Sequence, residues 1–169
     1  MDTVNEAVYH PYDAGLPGDP GKVDVLTIRV VRERQQEALT TVIKSPACAA
    51  HILSTYLGGY DRECMVALLL NTKSHVIGIH MISMGTVSEA IVHPREVFKA
   101  AILVSAFSIL LAHNHPSGET QESREDITIT ERLVKAGVLL GIPVLDHVIV
   151  GPNLKFNSAK ENNWLRGTD

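Results

Sequence analysis

Cysteine is scarce in this sequence, with only Cys48 and Cys64 among 169 residues. Two cysteines cannot build a disulfide framework, and they form no C-x-x-C pair for a metal, so both are expected to be reduced packing residues. Long apolar runs are missing too: none approaches the roughly 20 residues that a bilayer-spanning helix needs. The N-terminus, Met1-Asp2-Thr3-Val4-Asn5-Glu6, lacks the basic start and apolar stretch of a secretory signal. These absences predict a soluble, cytoplasmic protein with no membrane partner. Basic charge is not in excess, because 15 Lys and Arg stand against 19 Asp and Glu, leaving a net charge of -4 and a pI near 6.0. A phosphate-binding protein usually carries the opposite balance, so nucleic acid is not the expected partner. The one local basic cluster, Arg29, Arg32 and Arg34, reads as solvated surface. No internal repeat or low-complexity segment is present.

What is there suits one globular domain. The length allows a single sizeable core, and 45% apolar with 20% charged residues is close to the globular average. Residues 1–22 carry Pro11, Pro17, Pro20, Gly15, Gly18 and Gly21 with little apolar periodicity and read as a flexible tail. The domain is expected over 23–160, followed by a polar tail at 161–169 that frays. Val23 to Val31, rich in branched residues, predicts a strand. Ser45-Pro46 predicts a helix through about Tyr56, with Ser45 as N-cap and Gly58-Gly59 as the stop. Cys64 to Leu70 is continuously apolar, the pattern of a strand covered on both faces, and His75 to Met84 returns as its hairpin partner. A second helix is expected from His93 to Ile102 and a buried strand over Phe107 to Ala112, with Pro116 just beyond it. A third helix should run from Ser123 to Leu140, stopped by Gly141-Ile142-Pro143. Val144 to Val150 and a short hairpin to Phe156 would close the sheet. The order predicts an α+β fold, α/β/α-like, whose mixed and largely antiparallel sheet is flanked by helices.

The chemistry concentrates at the end of the buried strand. His113 and His115, spaced i, i+2, point to one face, so a short piece of backbone offers two imidazoles to a single ion. Asp126, at the start of the next helix, can supply a third ligand and leave one position open for water, the arrangement of a catalytic zinc site. A protein base must still take and return protons.

His113-x-His115-Pro116, then Ser123-x-x-Asp126, resembles the JAMM (MPN-plus) metalloprotease motif. The wider run resembles the RadC branch of that family: Gly85-Thr86, His93-Pro94-Arg95-Glu96-Val97, His113-Asn114-His115-Pro116-Ser117-Gly118, Ser123-Arg124-Glu125-Asp126 and Leu145-Asp146-His147. The resemblance covers about residues 40 to 160 and implies a JAMM/deaminase-like core. It also implies Zn2+ held by His113, His115 and Asp126, with Ser123 helping to stabilise the tetrahedral intermediate. A Glu at the head of the first buried strand, here Glu63, would be the general acid/base. Many RadC-like chains carry an upstream helix-hairpin-helix module, and only some 40 residues precede the match here. A DNA role is therefore expected to be weak or indirect.

Ordinary readings compete with these. Ser123-x-x-Asp126 is also a capping box, and Glu63 also suits a solvated acid before a core strand. His147, beside Asp146, reads equally as a hydrogen-bonded support for the metal site, a substrate contact or a satisfied strand histidine. His10, His51, His75, His80 and His93 read as structural. The tripeptide His113-Asn114-His115 spells HNH by coincidence, and a zinc nucleobase deaminase would need H-x-E with P-C-x-x-C, which the sequence lacks. The leading expectation is a hydrolase of amide or isopeptide bonds in a peptide or protein substrate. A RadC-like DNA-transaction accessory with a metal site of non-proteolytic role is the alternative, and a homodimer is left open.

Overall fold

The computed structural model describes residues 27–35, 37–38, 40–85 and 92–166. The expected tail over 1–22, the first half of the strand placed at Val23 to Val31, Thr86 of the Gly85-Thr86 pair and the last three residues lie outside these.

Three helices and one five-stranded sheet make up the described fold: α1 (Pro46–Leu57), β1 (Glu63–Leu70), β2 (Val76–Gly85), α2 (Pro94–Leu103), β3 (Ser108–Asn114), α3 (Arg124–Leu140), β4 (Val144–Val150) and β5 (Phe156–Ser158). Strand order is β2-β1-β3-β4-β5, antiparallel at every pairing except β3 with β4. That one parallel pair follows from α3, since parallel neighbours need a crossover and a helix is the usual one. The mixed α+β architecture expected of the sequence is the architecture observed.

Alternation along the central strands sorts the core into two layers. Met65, Ala67 and Leu69 of β1 join Ile109 and Leu111 of β3 against α2 and α3. Cys64, Val66, Leu68 and Leu70 join Leu110, Ala112 and α1 on the opposite face. Both faces of β1 and β3 are thus covered, which is why these strands read as unbroken apolar runs. Cys64 is a fully buried member of this core, and both cysteines are free.

Three expectations need correction. Residues 27–31 form no strand; Ile28, Val30 and Val31 are 72%, 54% and 81% exposed. Branched side chains favour a strand only where a neighbouring ladder accepts the backbone, and among the described residues no strand pairs with 27–31. Ser45 occupies the N-cap position of α1, but its hydroxyl turns to Cys48 Sγ at 3.5 Å and makes no capping hydrogen bond. The C-terminal residues expected to fray instead fold back as far as Trp164, which is 3% exposed. Trp164 packs with Ile149 and Ala159, and its indole N–H donates to Asn157 Oδ1 at 3.1 Å. Burying so large a ring holds the segment to the domain. No described helix is long and apolar enough to cross a membrane.

Candidate metal centre

β3 is buried along its whole length and ends by presenting His113, which has no exposed surface. His115 follows one residue past the strand end, its backbone N–H still bonded to Val150 O of β4 at 2.9 Å. Asp126 sits in the first turn of α3, on the side that packs over His113. The two Nε2 atoms approach to 2.9 Å, and His113 Nε2 lies 3.3 Å from Asp126 Oδ1. One ligand atom from each of the three residues lies within 4.8 Å of the others.

Asp126 divides its oxygens between two tasks. Oδ2 accepts from the Ser123 N–H at 2.8 Å and from its hydroxyl at 2.6 Å, while Ser123 Oγ accepts from the Asp126 N–H at 3.1 Å. This is a complete capping box. Oδ1 is left to face the histidines, so capping and ligation are compatible on separate atoms. Ser123 spends its single hydroxyl proton on Asp126 in this arrangement.

The donor set fits a divalent transition metal of the zinc class. His115 Nδ1 faces the Glu119 carbonyl. A carbonyl can only accept, so Nδ1 carries the proton and the neutral ring offers a bare Nε2. Burial pushes the His113 imidazolium pKa from 6.5 down to about 4; Asp126 partly opposes this and His115 adds to it. Imidazole nitrogens beside a carboxylate are the donor types that a zinc ion takes.

Glu63 opens β1 at the same end of the sheet. Met65 pairs with His113 in the antiparallel register, so Glu63, two residues earlier, lies beside the end of β3 from which His115 emerges. Alternation with Met65, Ala67 and Leu69 puts Glu63 on the α3 side of the sheet, the side to which His113 alternates with Ile109 and Leu111. Asn114 points the other way and fastens this corner, accepting from the Cys64 N–H at 2.7 Å and donating to Arg62 O at 3.0 Å. Both residues flanking Glu63 are thereby held. Asn114 was not singled out from sequence, although its place between His113 and His115, on the opposite face, was a usable signal.

A family model described as the RadC-like JAB domain matches residues 43–164. This chain belongs to that family. The RadC-like JAB domain is also 50% identical over 124 residues to a UPF0758 protein of Desulforamulus reducens, covering 73% of this chain and 54% of that protein. It is 52% identical over 124 residues to a UPF0758 protein of Rubrobacter xylanophilus, with the same shares covered. A third, from Shouchella clausii, is 46% identical over 133 residues, 79% of this chain and 57% of its own length. The chain spans about half the length of these curated relatives.

Behind His113, the RadC-like JAB domain buries a polar line. His113 Nδ1 lies 2.8 Å from His147 Nε2, and His147 Nδ1 lies 2.6 Å from Thr130 Oγ1. Thr130 Oγ1 is also 2.6 Å from Asp126 O, and neither Thr130 nor His147 has exposed surface. Burial, then the neighbouring His113 and His115, hold the His147 pKa well below its ordinary value. His147 is thus bonded to His113, one of the three residues that could hold a metal. Thr130 was missed, and its i+4 spacing from Asp126 is a weak signal in any helix. Asp146 turns away from the site, accepting from the His147 and Lys160 N–H groups and from Ser158 Oγ at 2.8, 2.9 and 2.6 Å. Among the other histidines, His93 caps α2 by accepting from the Arg95 N–H, and His80 Nε2 contacts Glu96 O. His10 lies outside the described residues.

Proposed function

We propose that this RadC-like JAB domain is a zinc-dependent hydrolase that cleaves amide or isopeptide bonds in a peptide or protein substrate. The observation that carries the reading is the convergence of His113, His115 and Asp126 at a sheet end whose other strand begins with Glu63. Zinc bound by these three residues would lower the pKa of a water towards about 7 and polarise a substrate carbonyl. The remaining work falls to the chain. Glu63, at the start of the strand paired beside His113, would take a proton from the attacking water and hand it to the amine nitrogen as the C–N bond breaks. Ser123 can support the carbonyl oxygen as its charge develops, provided its hydroxyl turns from Asp126 Oδ2. Asp126 keeps the Ser123 N–H as a cap partner during that turn, so α3 stays anchored.

Two measurements test the proposal together. Elemental analysis of protein purified without chelator, with zinc supplied, is expected to find one zinc per chain. Less than about a tenth of an equivalent removes the metal from the reading. Peptide and isopeptide libraries incubated with the zinc-loaded protein should yield a cleavage product that chelator abolishes. A zinc-replete protein that cleaves neither, alone or within the longer chains of its relatives, would favour a non-proteolytic role.

A further inference from the structure

The buried line behind His113 has a direction, and chemistry fixes it at one end. Asp126 O is a backbone carbonyl and can only accept, so Thr130, 2.6 Å away, spends its one hydroxyl proton there. Thr130 Oγ1 therefore has only lone pairs for His147 Nδ1 at 2.6 Å, and His147 must carry a proton on Nδ1. A neutral His147 then has a bare Nε2, which faces His113 Nδ1 at 2.8 Å and can only accept. His113 must carry its own proton on Nδ1. Its Nε2 is left bare, and that is the atom facing His115 Nε2 and Asp126 Oδ1.

We infer that Thr130 and His147 are positioning residues that set the tautomer of His113, aiming its lone pair at the metal position before any metal arrives. The inference rests on the metal reading of His113, His115 and Asp126. The circuit also closes on itself: it starts at the backbone of one ligand, Asp126, and ends on the ring of another. His115 obtains the same preset from a single carbonyl, that of Glu119. His113, buried in the strand, reaches its carbonyl through two intervening side chains. A neutral imidazole can carry its proton on either ring nitrogen, whereas a hydrogen bond to the second nitrogen selects the tautomer and the ring orientation together.

The test uses the 15N-labelled full chain, metal-free and zinc-loaded, at neutral pH. Two-bond nitrogen–proton spectra report which ring nitrogen is protonated. Both His113 and His147 are expected as Nδ1–H tautomers in both states, and a proton on His147 Nε2 in the metal-free protein would overturn the inference. Zinc affinity by chelator competition supplies a second readout. Thr130→Val removes the hydroxyl at nearly constant shape and should weaken zinc by about 10–100-fold, the usual range for a lost outer hydrogen bond. Thr130→Ser keeps the hydroxyl and should restore binding to within about threefold, while full affinity in Thr130→Val would count against the circuit. Should Thr130→Val fail to fold, the spectra of the unmutated protein decide. If that protein takes up no zinc, the metal reading falls, and the metal-free spectrum still supports or overturns the tautomer assignment.

Discussion

At the scale of single residues, the proposed roles of ligands and base can be separated by substitution. Glu63→Gln is nearly isosteric but cannot take a proton, so it should keep fold and zinc while lowering hydrolysis by at least about 10²-fold. His113→Ala and Asp126→Ala should each lose most of the metal, whereas His51→Ala, on α1, should retain it. Zinc content measured beside turnover distinguishes the two behaviours. Loss of zinc in Glu63→Gln would make Glu63 a ligand instead. Proton linkage gives a further expectation for the metal-free protein. His113 titrates near 6.5 when unfolded and at about 4 when folded, so between those values the unfolded chain binds more protons. Stability is complete above about pH 6.5 and falls as pH drops through about 4, by up to about 3 kcal/mol for one such ring. Urea midpoints at several pH values should show this decline, and a flat profile over that window would contradict it.

At the scale of elements, α3 does most to assemble the site, because its first turn carries Asp126 and its second carries Thr130. The far end of the same helix is constrained by contact. A Cβ added at Gly137 would lie 2.6 Å from Ile142 O and 3.2 Å from the Phe98 ring. Helix propensity favours alanine over glycine by roughly 0.5–1 kcal/mol, yet overpacking against backbone typically costs about 1–3 kcal/mol. The clash should win, so Gly137→Ala is expected to be destabilised by at least about 1 kcal/mol. Gly59→Ala, with nothing within 4 Å of the added atom, should stay within about 0.5 kcal/mol of the parent. Denaturant titration of the two variants provides the comparison.

At the scale of the whole molecule, electrostatics bears on the alternative DNA-transaction role. A net charge of -4 provides little counterion-release drive, so duplex DNA should bind this chain weakly and without sequence preference. Fluorescence anisotropy at physiological salt is the check, and a submicromolar Kd would reverse the expectation. The DNA role would then move to the front, with the exposed Arg29, Arg32 and Arg34 the first substitutions to make.

The sequence by itself determined the order of most elements, because strands buried on both faces must be continuously apolar and helices begin and stop at residues that suit their ends. Cys64 to Leu70 announced an interior strand of the sheet, and Ser123 with Gly141 announced the limits of α3. It also brought forward His113, His115 and Asp126, since spacing along one strand and the first turn of one helix are local properties. It misjudged residues 27–31 and the segment that ends at Trp164, where the outcome depends on whether a distant surface accepts the segment. Trp164 stays with the domain because Ile149 and Asn157 receive it, a fact no local pattern contains. Only the tertiary structure set Glu63 beside the end of the strand that carries His113, because strand register is a relation between two segments about 50 residues apart. The same holds for the line from Asp126 through Thr130 and His147 to His113. Its members come from two strands and a helix, and hydrogen bonds between them exist only once packing has brought the donors and acceptors within reach.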